Sequence, residues 1–167
     1  MSYKVLKAIN MELSTQSINQ AIREIKLFRK ELLEKCWELV QALTMEGAEI
    51  AKMQVASMEA VDTGELEQSI KGMFIPSERC GFVIAEAPYA IYVEYGTGIV
   101  GESEPHPEAQ GNYDYDVHHH DVFGWVYKSD KDGKYHWTAG YISRPFMYNT
   151  LRWLEEAAPE RASVILT

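Results

Sequence analysis

Apolar residues recur at helical spacing near the N-terminus: Ile18, Ile22, Ile25, Leu32, Cys36, Leu39, Leu43 and Ile50. Charges fill the positions between them, which predicts one amphipathic helix from Ser17 to about Val55. Ser17 and Gln20 fit a capping box at its start. At 1.5 Å per residue such a helix is roughly 55–60 Å long, more than a compact domain of this size spans. It is expected to project, bend or break, with Thr44 to Gly47 as the weak point. Its N-terminal half is expected to pack into the domain's own core, with an oligomer contact as the alternative for a helix too long for its domain.

Further patterns follow along the chain. Residues 3–9 suit a short strand, or residues 1–13 an extended arm. Asp62-Thr63-Gly64-Glu65-Leu66 reads as a turn into a short helix capped by Asp62 or Thr63. Ile70–Ile75 and Cys80–Ala85 read as a hairpin joined by Pro76-Ser77-Glu78-Arg79, with Cys80, Phe82 and Ile84 on one face. Then comes Ala87-Pro88-Tyr89-Ala90-Ile91-Tyr92-Val93-Glu94-Tyr95-Gly96-Thr97-Gly98. Pro88 suits the first turn of a helix, and Tyr89, Tyr92 and Val93 share a face. Gly96 is expected to take the left-handed conformation that closes the helix, and Gly98 adds a second permissive position.

Residues 99–121 carry Gly101, Pro105, Pro107 and Gly111 and read as a long polar loop. Phe123–Lys128 and Lys134–Thr138 form a second predicted hairpin turning at Asp132-Gly133, with Trp125 paired against Trp137. Ser143 is the expected cap of a C-terminal helix, with Pro145 in its first turn. Met147, Leu151, Leu154 and Ala158 form its stripe, and Pro159 is expected to interrupt it. The whole is an α+β fold of one domain over residues 1–167. A long N-terminal helix and a C-terminal helix pack on a small antiparallel β-sheet, with a long loop between the two hairpins.

Composition changes this picture only in places. The chain has 167 residues and a net charge of −9, which argues against a general nucleic-acid binder. The same charge suits a wall that DNA slides past without sticking. The two cysteines, Cys36 and Cys80, read as reduced, buried small hydrophobes. The N-terminus lacks the apolar core of a signal peptide, and no stretch is apolar enough for a membrane span, so a soluble protein with no membrane partner is expected.

Candidate chemistry is sparse. His118, His119 and His120, with Asp114, Asp116, Asp121 and His106 nearby, are the metal candidates, and a metal-dependent hydrolase using His106 and His118–His120 is the alternative reading. The geometry is poor for a metal, since adjacent residues point in different directions and one metal rarely collects three consecutive side chains. A solvated polar loop and no bound metal are therefore expected, with His118, His120 and Asp116 the remaining candidates. An interaction module that merely shares the fold is a further alternative. Neither cysteine is framed as a catalytic thiol, and there is no Gly-x-Ser-x-Gly and no phosphate-cradling loop. No catalytic residue and no cofactor is expected. Tyr and Trp number 10 and 4, too many for one face of a small sheet, so some are expected at the surface as anchors for protein contacts.

Three motifs in order carry a resemblance. Asp62, Thr63, Gly64 and Leu66 come first; Pro88, Tyr89, Val93, Glu94, Gly96, Thr97 and Gly98 follow; Arg144, Pro145 and Phe146 open the last helix. Together they resemble the tail-completion or neck family of long-tailed bacteriophages and prophages, the HK-97-type gene-product-ten-like proteins, over roughly residues 14–155. Pro105-His106-Pro107, Gly124-Trp125 and Trp137-Thr138 look like a subgroup with a longer middle loop. The resemblance implies a small α+β virion protein without catalytic residues. It implies assembly as a homo-oligomeric ring at the head–tail joint, beside the head-closure ring and the tail terminator or tube, with DNA at most passing through the channel. Such a protein resides in the virion neck and, during assembly, in the host cytoplasm.

Overall fold

The computed structural model describes residues 14–58, 64–109, 124–129 and 132–166. Its first element is a single helix, α1, Thr15–Ser57, of 43 residues. At 1.5 Å per residue it is about 64 Å long. The cap is Ser14 rather than Ser17: the Ser14 hydroxyl oxygen accepts the Ser17 amide at 3.2 Å. No break occurs at Thr44–Gly47. The half that packs into the core is the C-terminal one, not the N-terminal half as expected, because its small residues let the other elements approach. The Thr44 hydroxyl donates to the Val40 carbonyl one turn back at 2.7 Å, which satisfies it within the helix. Gly47 is retained for space, since a Cβ there would lie 2.9 Å from Val83 Cγ2 and 3.0 Å from Leu154 Cδ1.

Helix α2, Glu65–Ser69, starts from Gly64 at φ 79°, with no side-chain cap. The Asp62 and Thr63 caps lie outside the described residues, as does the arm at 1–13. Strands β1, Ile70–Ile75, and β2, Cys80–Ala85, pair antiparallel with Ile70 opposite Ala85 and Ile75 opposite Cys80, as the apolar pattern predicts. The face that meets the core is Gly81, Val83 and Ala85, not that of Cys80, Phe82 and Ile84; Phe82 is exposed. Thr44 explains the choice. Its Oγ1 would lie 1.9 Å from a Cβ at Gly81, and its carbonyl oxygen 3.1 Å from one at Gly72, so only glycines admit α1 this close.

Next come α3, Ala90–Tyr95, and α4, Gly98–Ser103, separated by two residues. Residues 98–103 are therefore helical, where a loop was expected to begin. Pro88 precedes α3 instead of sitting in its first turn. Strands β3, Trp125–Lys128, and β4, Tyr135–Thr138, form a second, separate antiparallel pair. In its register Trp125 faces Thr138 and Val126 faces Trp137, so the two tryptophans are not cross-strand partners. The short β5 is Gly140–Tyr141.

Helix α5, Phe146–Ile165, runs through Pro159 without ending. It lies antiparallel to α1. Its first residue, Phe146, shares the core with Ala51 and Val55, whereas Arg161 near its end reaches back to Glu46. That last pair is two-pronged, with Nε to Oε2 at 2.9 Å and Nη2 to Oε1 at 2.8 Å. The core thus gathers Ala48, Ala51, Val55, Leu66, Ile70 and Phe146 where α1, α2, β1 and α5 meet. This is an α+β architecture of a long N-terminal helix and a C-terminal helix with small antiparallel sheets. Among the described residues no helix is long and apolar enough to cross a membrane.

Candidate functional site

Two of the three motifs, residues 93–98 and 144–146, meet at the N-terminus of α5. A helix begins with backbone N–H groups that have no partner within the helix. Here the cap residue is Pro145, which has neither an N–H to satisfy nor a side-chain oxygen to offer. Ser143, the expected cap, is engaged elsewhere: its hydroxyl donates to the Glu94 backbone carbonyl at 2.6 Å.

Glu94 takes over the capping from a distance of some 50 residues in sequence. Its Oε2 accepts the Met147 amide at 2.8 Å, and its Oε1 accepts the Tyr148 amide at 2.9 Å. The Phe146 amide donates to the Arg144 carbonyl at 2.8 Å, and the Asn149 amide to the Pro145 carbonyl at 2.9 Å. Every N–H of the first turn is accounted for. The carboxylate is buried, and it sits where the helix dipole favours a negative charge.

His106 completes the arrangement. Its Nε2 lies 3.0 Å from Glu94 Oε1, and its Nδ1 accepts the Glu108 amide at 3.0 Å. An Nδ1 that accepts a backbone N–H carries no proton, so the ring is the Nε2–H tautomer and donates to Glu94. The imidazole is buried. It lies against Tyr95, with ring centroids 4.3 Å apart, and takes the edge of Tyr148 at 5.4 Å. Arg152 then lies over the Tyr148 ring at 5.1 Å and reaches Glu108 at 3.5 Å.

The glycines of the motif serve the same joint. Residues 93–100 run alongside residues 139–144. Arg144 N donates to Val93 O at 2.9 Å, Tyr141 N to Thr97 Oγ1 at 3.2 Å, and Val100 N to Ala139 O at 3.3 Å. Thr97 and Gly98 form antiparallel bridges with Tyr141 and Gly140. Gly96 has φ +82° and ψ 176°, so its φ is positive as expected but its ψ is not that of a left-handed helical cap. A Cβ there would meet Ser143 N and Tyr141 O at 2.7 Å, and one at Gly98 would meet Ala139 O at 2.5 Å. The spacing of Gly96 and Gly98 reflects two chain segments crossing closely, not a cradle for phosphate.

A groove of ≈ 570 Å³ opens beside this joint, with Val83, Ala90, Ile91 and Leu151 among its walls. Of its polar members, Glu94 and His106 are committed to the helix cap and Glu108 pairs with Arg152, while Tyr95 and Tyr148 also line it. Glu94 and His106 resemble an acid–base pair only in their proximity. The carboxylate accepts two amides and a ring N–H, and both ring nitrogens are engaged. Among the described residues, the nearby Ser143 hydroxyl donates to the Glu94 backbone carbonyl rather than to either side chain.

The other expected sites fall as follows. His118, His120 and Asp116 lie outside the described residues, and His106 belongs to the cap. Among the described residues no group of three or more His, Cys, Asp and Glu is arranged to hold a metal ion. Leu66 is buried in the core, with Tyr89 and Val93 packed against it. Cys36 is exposed rather than buried, and Cys80 is half-buried, with its thiol pushed up by partial desolvation and then by neighbouring Glu78. The surplus aromatics do reach the surface: Tyr92, Tyr127, Tyr135, Trp137 and Tyr141 are exposed.

The pairing of His106 with Glu94 was not legible in the sequence. The two residues are 12 apart and share no periodic face, so no spacing rule connects them. The one hint was Pro145 followed by Phe146, a helix start with no oxygen of its own to cap it.

Compared with protein-family models, with curated proteins and with solved structures, the chain matches none.

Proposed function

We propose that the protein is a structural subunit of a tailed-phage or prophage virion, placed at the neck where head and tail are joined and working by ring assembly rather than by catalysis. The observation that carries this reading is the fate of the motif residues. Val93 to Gly98 and Arg144 to Phe146, read separately in the sequence, meet in one joint. In that joint Glu94 and His106 are engaged in fastening α3 to α5. Residues placed this way hold a fixed shape, and a fixed shape suits a ring subunit. The exposed apolar face of α1 and the exposed aromatics of the second hairpin supply contact surface. The charge of −9 keeps DNA passing through a channel from adhering to its wall.

The test is genetic and morphological. Deleting the gene from its phage or inducible prophage is expected to yield DNA-filled heads and separate, complete tails by negative-stain microscopy. Joined, infectious particles in its absence would contradict the proposal.

A further inference from the structure

The N-terminal half of α1 leaves the body of the protein. Beyond Leu33, which with Trp37 lines a shallow pocket beside Arg79 of the β1–β2 turn, the helix presents Ile18, Ile22, Ile25, Leu27, Phe28 and Leu32 to solvent. Ile25 and Phe28 are 54% and 50% exposed. Ala21 alone is buried on this overhang, and exposed apolar surface of the remaining extent marks an interface.

The pattern identifies what covers it. Ile18, Ile22, Ile25, Arg29, Leu32 and Cys36 alternate at separations of four and three, which is a heptad seam with Ile22, Arg29 and Cys36 at a and Ile18, Ile25 and Leu32 at d. Phe28 at g and Leu33 at e widen the apolar face beyond the strip that a two-helix seam buries, so each helix meets more than one neighbour. The two shoulders of the face carry opposite charge. On the e and b side stand Arg23, Lys26 and Lys30, and Arg79 adds a further positive charge at its end. On the g and c side stand Glu24, Glu31 and Glu38, repeating every seven residues, with Lys35 the exception. Parallel copies in register set the basic shoulder of one against the acidic shoulder of the next. Antiparallel copies set like against like.

From this charge asymmetry we infer that residues 18–36 are the self-association surface, packing in parallel and in register against the same segment of two neighbouring copies of this chain. Arg29 fits such a seam with its stem along the apolar face and its guanidinium at the edge. Rotational symmetry repeats the contact around a closed ring. The inference deepens the ring assembly proposed above but rests on separate observations. Its test needs only purified protein, so its failure is distinct from failure of the neck assignment.

The experiment is mild diamide oxidation and sedimentation of the full chain carrying Cys80→Ser. Cys36 occupies an a position and is exposed, so parallel in-register neighbours bring their Cys36 thiols together. A covalent Cys36 dimer is expected, together with a mass well above the monomer. Glu24→Lys with Glu31→Lys is expected to weaken association by about tenfold at low salt. Adding Arg23→Glu and Lys30→Glu is expected to restore it, because both shoulders then change sign. Circular dichroism checks that each variant remains helical. A monomer at every concentration overturns the inference. So does an oligomer that gives no Cys36 cross-link, or a charge reversal that the second pair does not rescue. A chain that oligomerises only after residues 1–13 are removed also overturns it, since the arm would then be the occupant.

Discussion

The two halves of α1 share one helical period and differ in the size of the residues that occupy it. Between Thr44 and Val55 the buried positions are Thr44, Gly47, Ala48, Ala51 and Val55. Between Ile18 and Leu33 the apolar positions are isoleucine, phenylalanine and leucine, and they are exposed. Small residues let the helix approach β1, β2 and α5 until backbone and Cβ atoms touch, as Gly47, Gly72 and Gly81 show. Large residues would hold those elements apart, and on the overhang nothing in the chain's described residues lies over them. Period therefore tells which face of a helix is apolar, and size tells how that face is covered. Glu46 and Arg161, joined at 2.8 and 2.9 Å, lie on the anchored side of the boundary.

Substitutions should separate the anchored body from the overhang. The largest loss is expected from Gly96→Val. It combines a positive φ with a Cβ position 2.7 Å from Ser143 N and Tyr141 O, so a penalty on the order of 3 kcal/mol or more should appear as insoluble or strongly destabilised protein. Glu94→Ala follows. It strips the acceptor from two amides and from His106 Nε2, and should cost about 2–4 kcal/mol in urea unfolding. Glu94→Gln should recover part of that, because one side-chain oxygen remains to accept.

Ala51→Leu overpacks a residue with no exposed surface and should cost about 1–3 kcal/mol. Ile25→Ala on the overhang is the contrasting case. It should shift monomer stability by no more than about 0.5 kcal/mol while weakening association. If Ala51→Leu and Ile25→Ala were equally damaging to the monomer, the distinction between the halves would fail.

The smallest effect concerns the second hairpin. Asp132 is held below the usual carboxylate range, first by the Lys134 amide and less by His136, with desolvation opposing. A depressed carboxylate stabilises the fold above its ordinary pKa, and that contribution disappears as pH falls through the lowered value. Amide exchange across β3 and β4 should therefore accelerate as pH drops below about 4, after correction for intrinsic rates, and Asp132→Asn should abolish the change. An unchanged pH response in Asp132→Asn would remove the carboxylate from the hairpin's stability.

Much of the architecture was legible because it is local. The register of β1 and β2 follows from two apolar runs and the turn between them, and α1 follows from its period. What escaped depended on contacts across the chain. Whether β2 turns Val83 or Phe82 to the core is decided by Thr44 pressing on Gly81, which alternation alone does not rank. Thr44 and Pro159 look like helix breakers, yet α1 and α5 run through them. The cap of α5 is the clearest case. Ser143 obeys the local rule, but Glu94 fills the role because α3 delivers a carboxylate to the spot. The motif residues were found as a pattern, and their purpose became plain only when the two segments met.

The most direct measurement is amide hydrogen exchange, read by mass spectrometry along α1 in dilute and in concentrated solution. Peptides from Thr44 to Val55 should stay protected in both, since the body of the same molecule covers them. Peptides from Ile18 to Cys36 should exchange fast when dilute and gain protection when concentrated, as neighbouring copies cover them. Protection of residues 18–36 that is the same at both concentrations would contradict the account.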